Sequence, residues 1–327
     1  MTGAHLSIVG GFVLLFLGGE ALVRGAVSLA SGLGVSKLVI SLTVVALGTS
    51  APELVVAMQA ALEGAPGVAV GNVVGSNIAN VLLILGVAGM IAPIATRSHA
   101  ITRDGVAMVM ASLVFIALAW VGEFHAWSGA VLLVLLIGYL GFRYWRDRRD
   151  SAAAREHAQE VDEMVADHLS LPLAALVTIL GLAVLIVGAD LLVHGAVTVA
   201  RAHGVSEAVI GLTLVAFGTS LPELATCAVA AWRNHPDVAL GNVLGSNMFN
   251  LLGIMGAVSL VTPVSVPEQI IHFDVWIMLA VSVLVLPLMM TGRRLGRGEA
   301  LVLALLYFGY IAVQFMGVEG LVVPGAV

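Results

Sequence analysis

The 327-residue chain is 60% hydrophobic and only 10% charged, with a formal net charge of −6 and a mean hydropathy of +1.07. Soluble domains carry about 25% charged residues, so this chain lacks the polar surface of a water-soluble globule, and its acidic balance offers no basic face to nucleic acid. A single cysteine, Cys227, excludes an intrachain disulfide and any cysteine-rich metal site.

The apolar runs are long enough, at roughly 20 residues each, to cross a hydrocarbon core about 30 Å thick. The first, about 5–30, lacks a basic leader region and a cleavage site followed by polar chain, and reads as a retained transmembrane helix. Helices are predicted next at about 37–62, 69–91, 104–121 and 127–145, and then at 171–199, 207–232, 238–261, 270–290 and 298–318. Between the two groups lies the one long polar stretch, 146–170, which carries Asp147, Arg148, Arg149, Asp150, Arg155, Glu156, Glu160, Asp162, Glu163 and Asp167 and reads as a solvated linker. Counting loops alternately places twelve Lys and Arg residues, from Lys37 to Arg297, on one side and Arg201 alone on the other. By the positive-inside rule the linker is cytoplasmic and both termini lie outside the cytoplasm, in a cell's inner (plasma) membrane.

The two groups repeat each other at a constant offset of 170 residues. Val39–Leu54 (VISLTVVALGTSAPEL) and Val209–Leu224 (VIGLTLVAFGTSLPEL) share twelve of sixteen positions; Val70–Asn80 (VGNVVGSNIAN) and Leu240–Asn250 (LGNVLGSNMFN) share seven of eleven. Each copy has five helices, an odd number, so the second must enter the membrane from the opposite face. The predicted fold class is therefore an all-α membrane protein. Its ten transmembrane helices form two inverted five-helix repeats, residues 1–145 and 171–327, joined by the cytoplasmic linker 146–170. That is the architecture of many secondary transporters, with sites at the midplane where repeats meet.

Helices two and seven carry Gly48-Thr49-Ser50-Ala51-Pro52-Glu53 and Gly218-Thr219-Ser220-Leu221-Pro222-Glu223. Proline donates no backbone hydrogen bond and its ring clashes with the preceding turn, so both helices are expected to break there and free carbonyls around Ala46, Leu47, Ala216 and Phe217. Irregular backbone at membrane depth persists where it is buried or lines a polar cavity. Ser76, Asn77 and Asn80 of helix three and Ser246, Asn247 and Asn250 of helix eight add hydroxyls and amides. Ser76 and Asn80 share a helical face, as do Ser246 and Asn250. Hard cations such as Ca²⁺ take about six to eight oxygen ligands, and this inventory is all oxygen. A charge at the bilayer centre costs about 2.5–3.5 kcal/mol on insertion scales. Glu53 and Glu223 together therefore demand a cation or protons: one Ca²⁺ balances them, as do two Na⁺. Asn77 and Asn247 suit bridging between helices as well as they suit ligation, and Glu20 and Asp190 read as structural groups near the membrane interface.

At these residues the sequence resembles the cation/calcium exchanger superfamily, in its sodium/calcium exchanger branch. The resemblance rests on GTSAPE and GTSLPE paired with GNVVGSNIAN and GNVLGSNMFN, in the expected order and spacing over nearly the whole chain. It implies Na⁺-driven Ca²⁺ antiport, with both ions as substrates and no cofactor. Carried over by position, the Ca²⁺ ligands are Glu53 and Glu223 with backbone oxygens at Thr49 and Thr219. The Na⁺ sites draw on Ala46, Ser50, Ser76, Ala216, Ser220 and Ser246, and Asn80 and Asn250 complete the ring. Some family members, including potassium-dependent ones, have Asp at the position of Asn250; Asn here argues against K⁺ co-transport. H⁺/Ca²⁺ exchange, or antiport of another divalent cation, on the same fold is the second reading and a passive cation channel the third. An intramembrane enzyme ranks last, since the chain offers no His-Glu-x-x-His or Gly-x-Ser-x-Gly.

Overall fold

Helix α1 runs Thr2–Leu33 without interruption, and nearly every later element is also helical. The coordinates, a computed structural model, describe residues 2–95, 99–149, 169–202, 216–291 and 294–316. Residues 150–168 of the predicted linker and 207–215 of the predicted seventh helix lie outside the described residues. After α1 come α2 (Lys37–Thr49) and α3 (Ala51–Leu62), bent by 44° at their junction. Then follow α4 (Pro66–Ile91), strand β1 (Ile94–Ala95), α5 (His99–Ala119), β2 (Glu123–Phe124) and α6 (Ala126–Arg149). The later part has α7 (Leu171–Ala202), α8 (Ala216–Thr219), α9 (Leu221–Trp232), α10 (Pro236–Val261) and β3 (Val264–Ser265). It ends with α11 (Ile270–Asp274 continuing into Val275–Thr291), β4 (Arg294–Leu295) and α12 (Arg297–Met316). Among the described residues, seven helices are long and apolar enough to cross a membrane, and an eighth if α2 and α3 count as one broken span.

Helix boundaries follow local chemistry. Ser36 caps α2 by accepting from the Val39 amide at 3.3 Å, one of the four amides a helix start leaves unsatisfied. Gly64, after α3, takes φ +75°, and its repeat mate Asn234, after α9, takes φ 58°. Glycine and asparagine are the residues that tolerate this left-handed conformation, so both copies end the helix with the same backbone turn.

The chain packs into two units, residues 1–52 with 141–242 and residues 53–140 with 243–327. In the first, α1 and α7 lie against each other along facing glycines. A Cβ built on Gly18 would sit 2.7 Å from the Leu185 amide nitrogen, and one on Gly188 would sit 2.8 Å from that of Leu15. In lipid there is no hydrophobic drive between helices, so association depends on close backbone approach of this kind. Leu15, Leu22, Ala26, Leu185 and Ala189 fill the seam, while Leu6, Val9, Phe12, Val13 and Leu17 face outward where lipid would lie. Glu20, on α1, is held by Arg233 after α9, with Nε 2.8 Å from Oε2; this is the structural role read for it. Gly188→Leu is expected to force α1 and α7 apart, because overpacking costs about 1–3 kcal/mol before any repacking. Thermal unfolding in detergent should show a lowered Tm, while Gly138→Ala, in open space within a helix, should leave it level or raise it slightly.

The second unit is built around α4 and the later part of α10. Along their apolar stretches α4 buries 78% of its residues and α10 83%, against 28% for the lipid-exposed α7. The helices that carry the Gly-Asn-Val motifs are thus the most enclosed. Two short antiparallel ribbons tie the ends of this unit: β1 with β4 (Ile94 opposite Leu295) and β2 with β3 (Glu123 opposite Ser265). β3 is the repeat mate of β1, and β4 that of β2 to within one residue, so each ribbon joins one strand from each copy.

Candidate functional site

The predicted breaks fall at Ser50 and Ser220. Ser50 adopts φ −82°, ψ 6° and Ser220 φ −88°, ψ 5°, the same departure from helix in both copies. Each is followed by a helix with proline in its first turn, where a missing N–H costs nothing. One expectation changes in detail. The Ala46 carbonyl does not lose its backbone partner, since the Ser50 amide donates to it at 3.0 Å. A carbonyl oxygen has two lone pairs, and the Thr49 hydroxyl also lies 3.4 Å from this one, although it sits closer, at 3.2 Å, to Asn242 Oδ1. In the second copy the Ser220 amide turns to Phe217 at 3.2 Å instead.

In the first unit the two copies of the Gly-Thr-Ser-x-Pro-Glu motif meet. Ser50 Oγ donates to Glu223 Oε1 at 3.0 Å, across 173 residues of sequence. Thr49 Oγ1 donates to Asn242 Oδ1 at 3.2 Å. Glu223 is 1% exposed, Ser50 2%, and Thr219 and Ser220 are buried beside the same break. A hydroxyl donating to one carboxylate oxygen stabilises its charge and orients it. Ala216 opens α8, and only its backbone is described.

In the second unit Glu53, 1% exposed, is anchored through its backbone: Asn72 Nδ2 donates to the Glu53 carbonyl at 3.1 Å. Here α4 meets α10 through its motif amides. Asn80 Nδ2 donates to Asn247 Oδ1 at 2.9 Å. Asn247 Nδ2 lies 3.4 Å from the Asn77 carbonyl and 3.3 Å from Met108 Sδ, and Asn77 Nδ2 reaches the Val73 carbonyl at 2.7 Å. Asn247 therefore has the bridging role. Both helices depart from α-geometry at the repeated asparagines Asn80 and Asn250, in π-helical turns at Asn80–Ile84 and Phe249–Ile254. Such turns cluster at functional sites, and here they fall on repeat-related residues.

Several polar atoms in this second unit have no hydrogen-bond partner among the described residues. These are the amide oxygens of Asn77 and Asn80, the hydroxyl of Ser246, and both polar atoms of Asn250. All four side chains are buried, as is Ser76. Native proteins pair nearly all buried polar groups, and exceptions mark places where water or an ion completes the set. Hard neutral oxygens, together with carboxylates, are the donor set that Ca²⁺ and Na⁺ take. Among the described residues no three His, Cys, Asp or Glu side chains come together, so any cation held here would take most of its ligands from neutral oxygens.

Three polar residues of this region escaped the reading of the sequence: Asn72, Asn242 and Asp104. Both asparagines lie in the repeated Gly-Asn-Val triplets, and that repetition was the available signal. Asp104 and Asp274 are also repeat mates, each followed at four-residue spacing by Met and Ser (Met108, Ser112; Met278, Ser282), and all six are buried.

A family model described as sodium/calcium exchanger protein matches residues 4–145 and 173–316. The sodium/calcium exchanger MaX1 of Methanosarcina acetivorans is 33% identical over 349 aligned residues, covering 96% of this chain and 99% of that protein. The inner membrane protein YrbG of Escherichia coli is 32% identical, covering 87% and 88%. A solved structure of the sodium-calcium exchanger NCX_Mj, soaked with zero Na⁺ and Ca²⁺, superposes with a TM-score of 0.83 at 31% identity, over 95% of this chain and 99% of that one.

Proposed function

The chain belongs to the sodium/calcium exchanger family, and from that premise we propose that it is a secondary antiporter exchanging Ca²⁺ for Na⁺ by alternating access. Membership makes it a multi-pass integral membrane protein that exchanges cations, with calcium among its substrates, and a transporter rather than an enzyme. The choice of Na⁺ as coupling ion and the assignment of ligands are the proposal.

Glu53 and Glu223 bind Ca²⁺ together in this reading, aided by the backbone oxygens of Thr49 and Thr219. Na⁺ is held by Ala46, Ser50, Ser76, Ala216, Ser220 and Ser246, with Asn80 and Asn250 completing the shell. The observation that carries the reading is the Ser50–Glu223 hydrogen bond. It joins the two copies of one motif, and Glu53 follows Ser50 by a single helical turn in the chain. Two carboxylates balance one Ca²⁺ or two Na⁺, and a third Na⁺ would add one surplus charge. An empty pair of buried carboxylates is costly, which opposes crossing without an ion and enforces exchange. Because Asn250 is neutral, the motifs supply no third carboxylate for K⁺.

Ten spans in two inverted repeats, 1–145 and 171–327 about a cytoplasmic linker 146–170, provide the alternating access. The matched backbone at Ser50 and Ser220, the paired π-turns, and the reciprocal ribbons support that symmetry. The arginine distribution supports termini outside the cytoplasm, and the inner-membrane relative supports an inner (plasma) membrane.

Purified protein in liposomes tests the coupling. An outward Na⁺ gradient is expected to drive uptake of radiolabelled Ca²⁺, while a pH jump or a K⁺ gradient alone is not. Uptake that ignores Na⁺ but follows pH would overturn Na⁺ coupling in favour of H⁺/Ca²⁺ exchange, and flux at channel-like rates without counter-ion would overturn antiport.

A further inference from the structure

Asn72 and Asn242 occupy the same position in the two motif copies, yet they make different bonds. Asn72 donates to the carbonyl of Glu53, the acid of its own copy. Asn242 does not copy this. Its Nδ2 donates to Cys227 Sγ at 3.4 Å, its Oδ1 accepts from the Thr49 hydroxyl at 3.2 Å, and the Cys227 thiol donates onward to the Ala239 carbonyl at 3.4 Å. Thr49, Cys227 and Asn242 are all fully buried. The difference is written in the sequence: the repeat mate of Cys227 is Ala57, whose methyl group can neither accept nor donate. A buried amide left without a partner is costly. Asn72 therefore meets its requirement on the Glu53 backbone, whereas sulfur gives the Asn242 N–H groups another acceptor and turns the amide oxygen toward Thr49.

We propose that Asn242 is a positioning residue of the exchange site, oriented by Cys227, which fixes Thr49 and through it the direction of the Thr49 carbonyl. The Thr49 carbonyl shares its peptide plane with the Ser50 amide, which is held from within the helix by its bond to the Ala46 carbonyl at 3.0 Å, and the side-chain bond to Asn242 adds a restraint from the other motif copy at the point where the helix breaks. Both asparagines consequently act on the first motif copy, Asn242 at Thr49 and Asn72 at Glu53. The sulfur acts through Asn242 and touches no ion. The inference deepens the exchange reading and rests on it for its kinetic consequences.

Two measurements on the purified full-length protein test it. Cys227 is the single thiol of the chain, so its S–H stretching band in the infrared reports this bond chain without any transport. Asn242→Ala is expected to shift the band, and an unmoved band would overturn the inference. In Na⁺-driven Ca²⁺ uptake, Cys227→Ala is expected to raise the KM for Ca²⁺ about fivefold, equivalent to about 1 kcal/mol, with kcat changed by less than about twofold. Cys227→Ser should restore the KM, because a hydroxyl accepts and donates as the thiol does. The double variant Asn242→Ala/Cys227→Ala should be no worse than Asn242→Ala alone. A wild-type KM in Cys227→Ala, failure of Ser to rescue, or additive effects would each sink it. Absence of Na⁺-driven uptake in the wild type would instead count against Na⁺/Ca²⁺ exchange, and the infrared band would still decide the Asn242–Cys227 bond.

Discussion

Glu223→Gln is expected to abolish measurable Na⁺-driven Ca²⁺ uptake while leaving the protein folded, and Glu53→Gln is expected to do the same. Removing one partner of a buried charge pairing costs about 3–5 kcal/mol, or from about 10²-fold to several thousand-fold in affinity. The loss should be selective for the divalent ion, since one remaining carboxylate balances a single Na⁺ but leaves Ca²⁺ with an uncompensated charge. Folding should survive, because the Gln Oε1 can still accept the Ser50 hydroxyl that now bonds Glu223. Uptake in liposomes together with thermal unfolding in detergent checks both halves. Near-normal uptake by either variant would remove that residue from the ligand set.

Asn250→Leu separates binding from stability more sharply. Neither polar atom of Asn250 has a hydrogen-bond partner among the described residues, and the side chain is 1% exposed. If its role were structural it would be a poor one, since a buried unsatisfied amide costs about 1–3 kcal/mol. A leucine of similar size removes that cost, so the Tm should stay level or rise. Exchange should nevertheless fall at least about tenfold, equivalent to about 1.4 kcal/mol of lost ion binding. A variant with a higher Tm and normal exchange would show that Asn250 holds no ion.

Much of this molecule was legible because the membrane makes sequence speak plainly. Long apolar runs located the helices, and the 170-residue offset located the two motif copies. Proline four residues after Gly48 and Gly218 announced the breaks, because its missing N–H and its ring act on local backbone whatever surrounds them. Glu53 and Glu223 stood out for a similar reason: a carboxylate within an apolar span has few explanations other than function.

What the sequence determined alone was therefore the set of local, chain-bound features: the spans, the broken helices, the duplicated motifs and the acid in each. The tertiary structure decided which groups meet. Nothing in residue order says that Ser50 bonds Glu223, that Asn80 reaches Asn247, or that Asn72 and Asn242 take different partners. Hydrogen bonds between residues far apart in sequence depend on how helices cross and turn about their axes. A single substitution such as Cys227 for Ala57 redirects them without changing any periodicity the sequence displays. The π-turns at Asn80 and Phe249 were hidden for the same reason, because the extra residue in such a turn is accommodated by packing against neighbouring helices and leaves no signature in the local sequence.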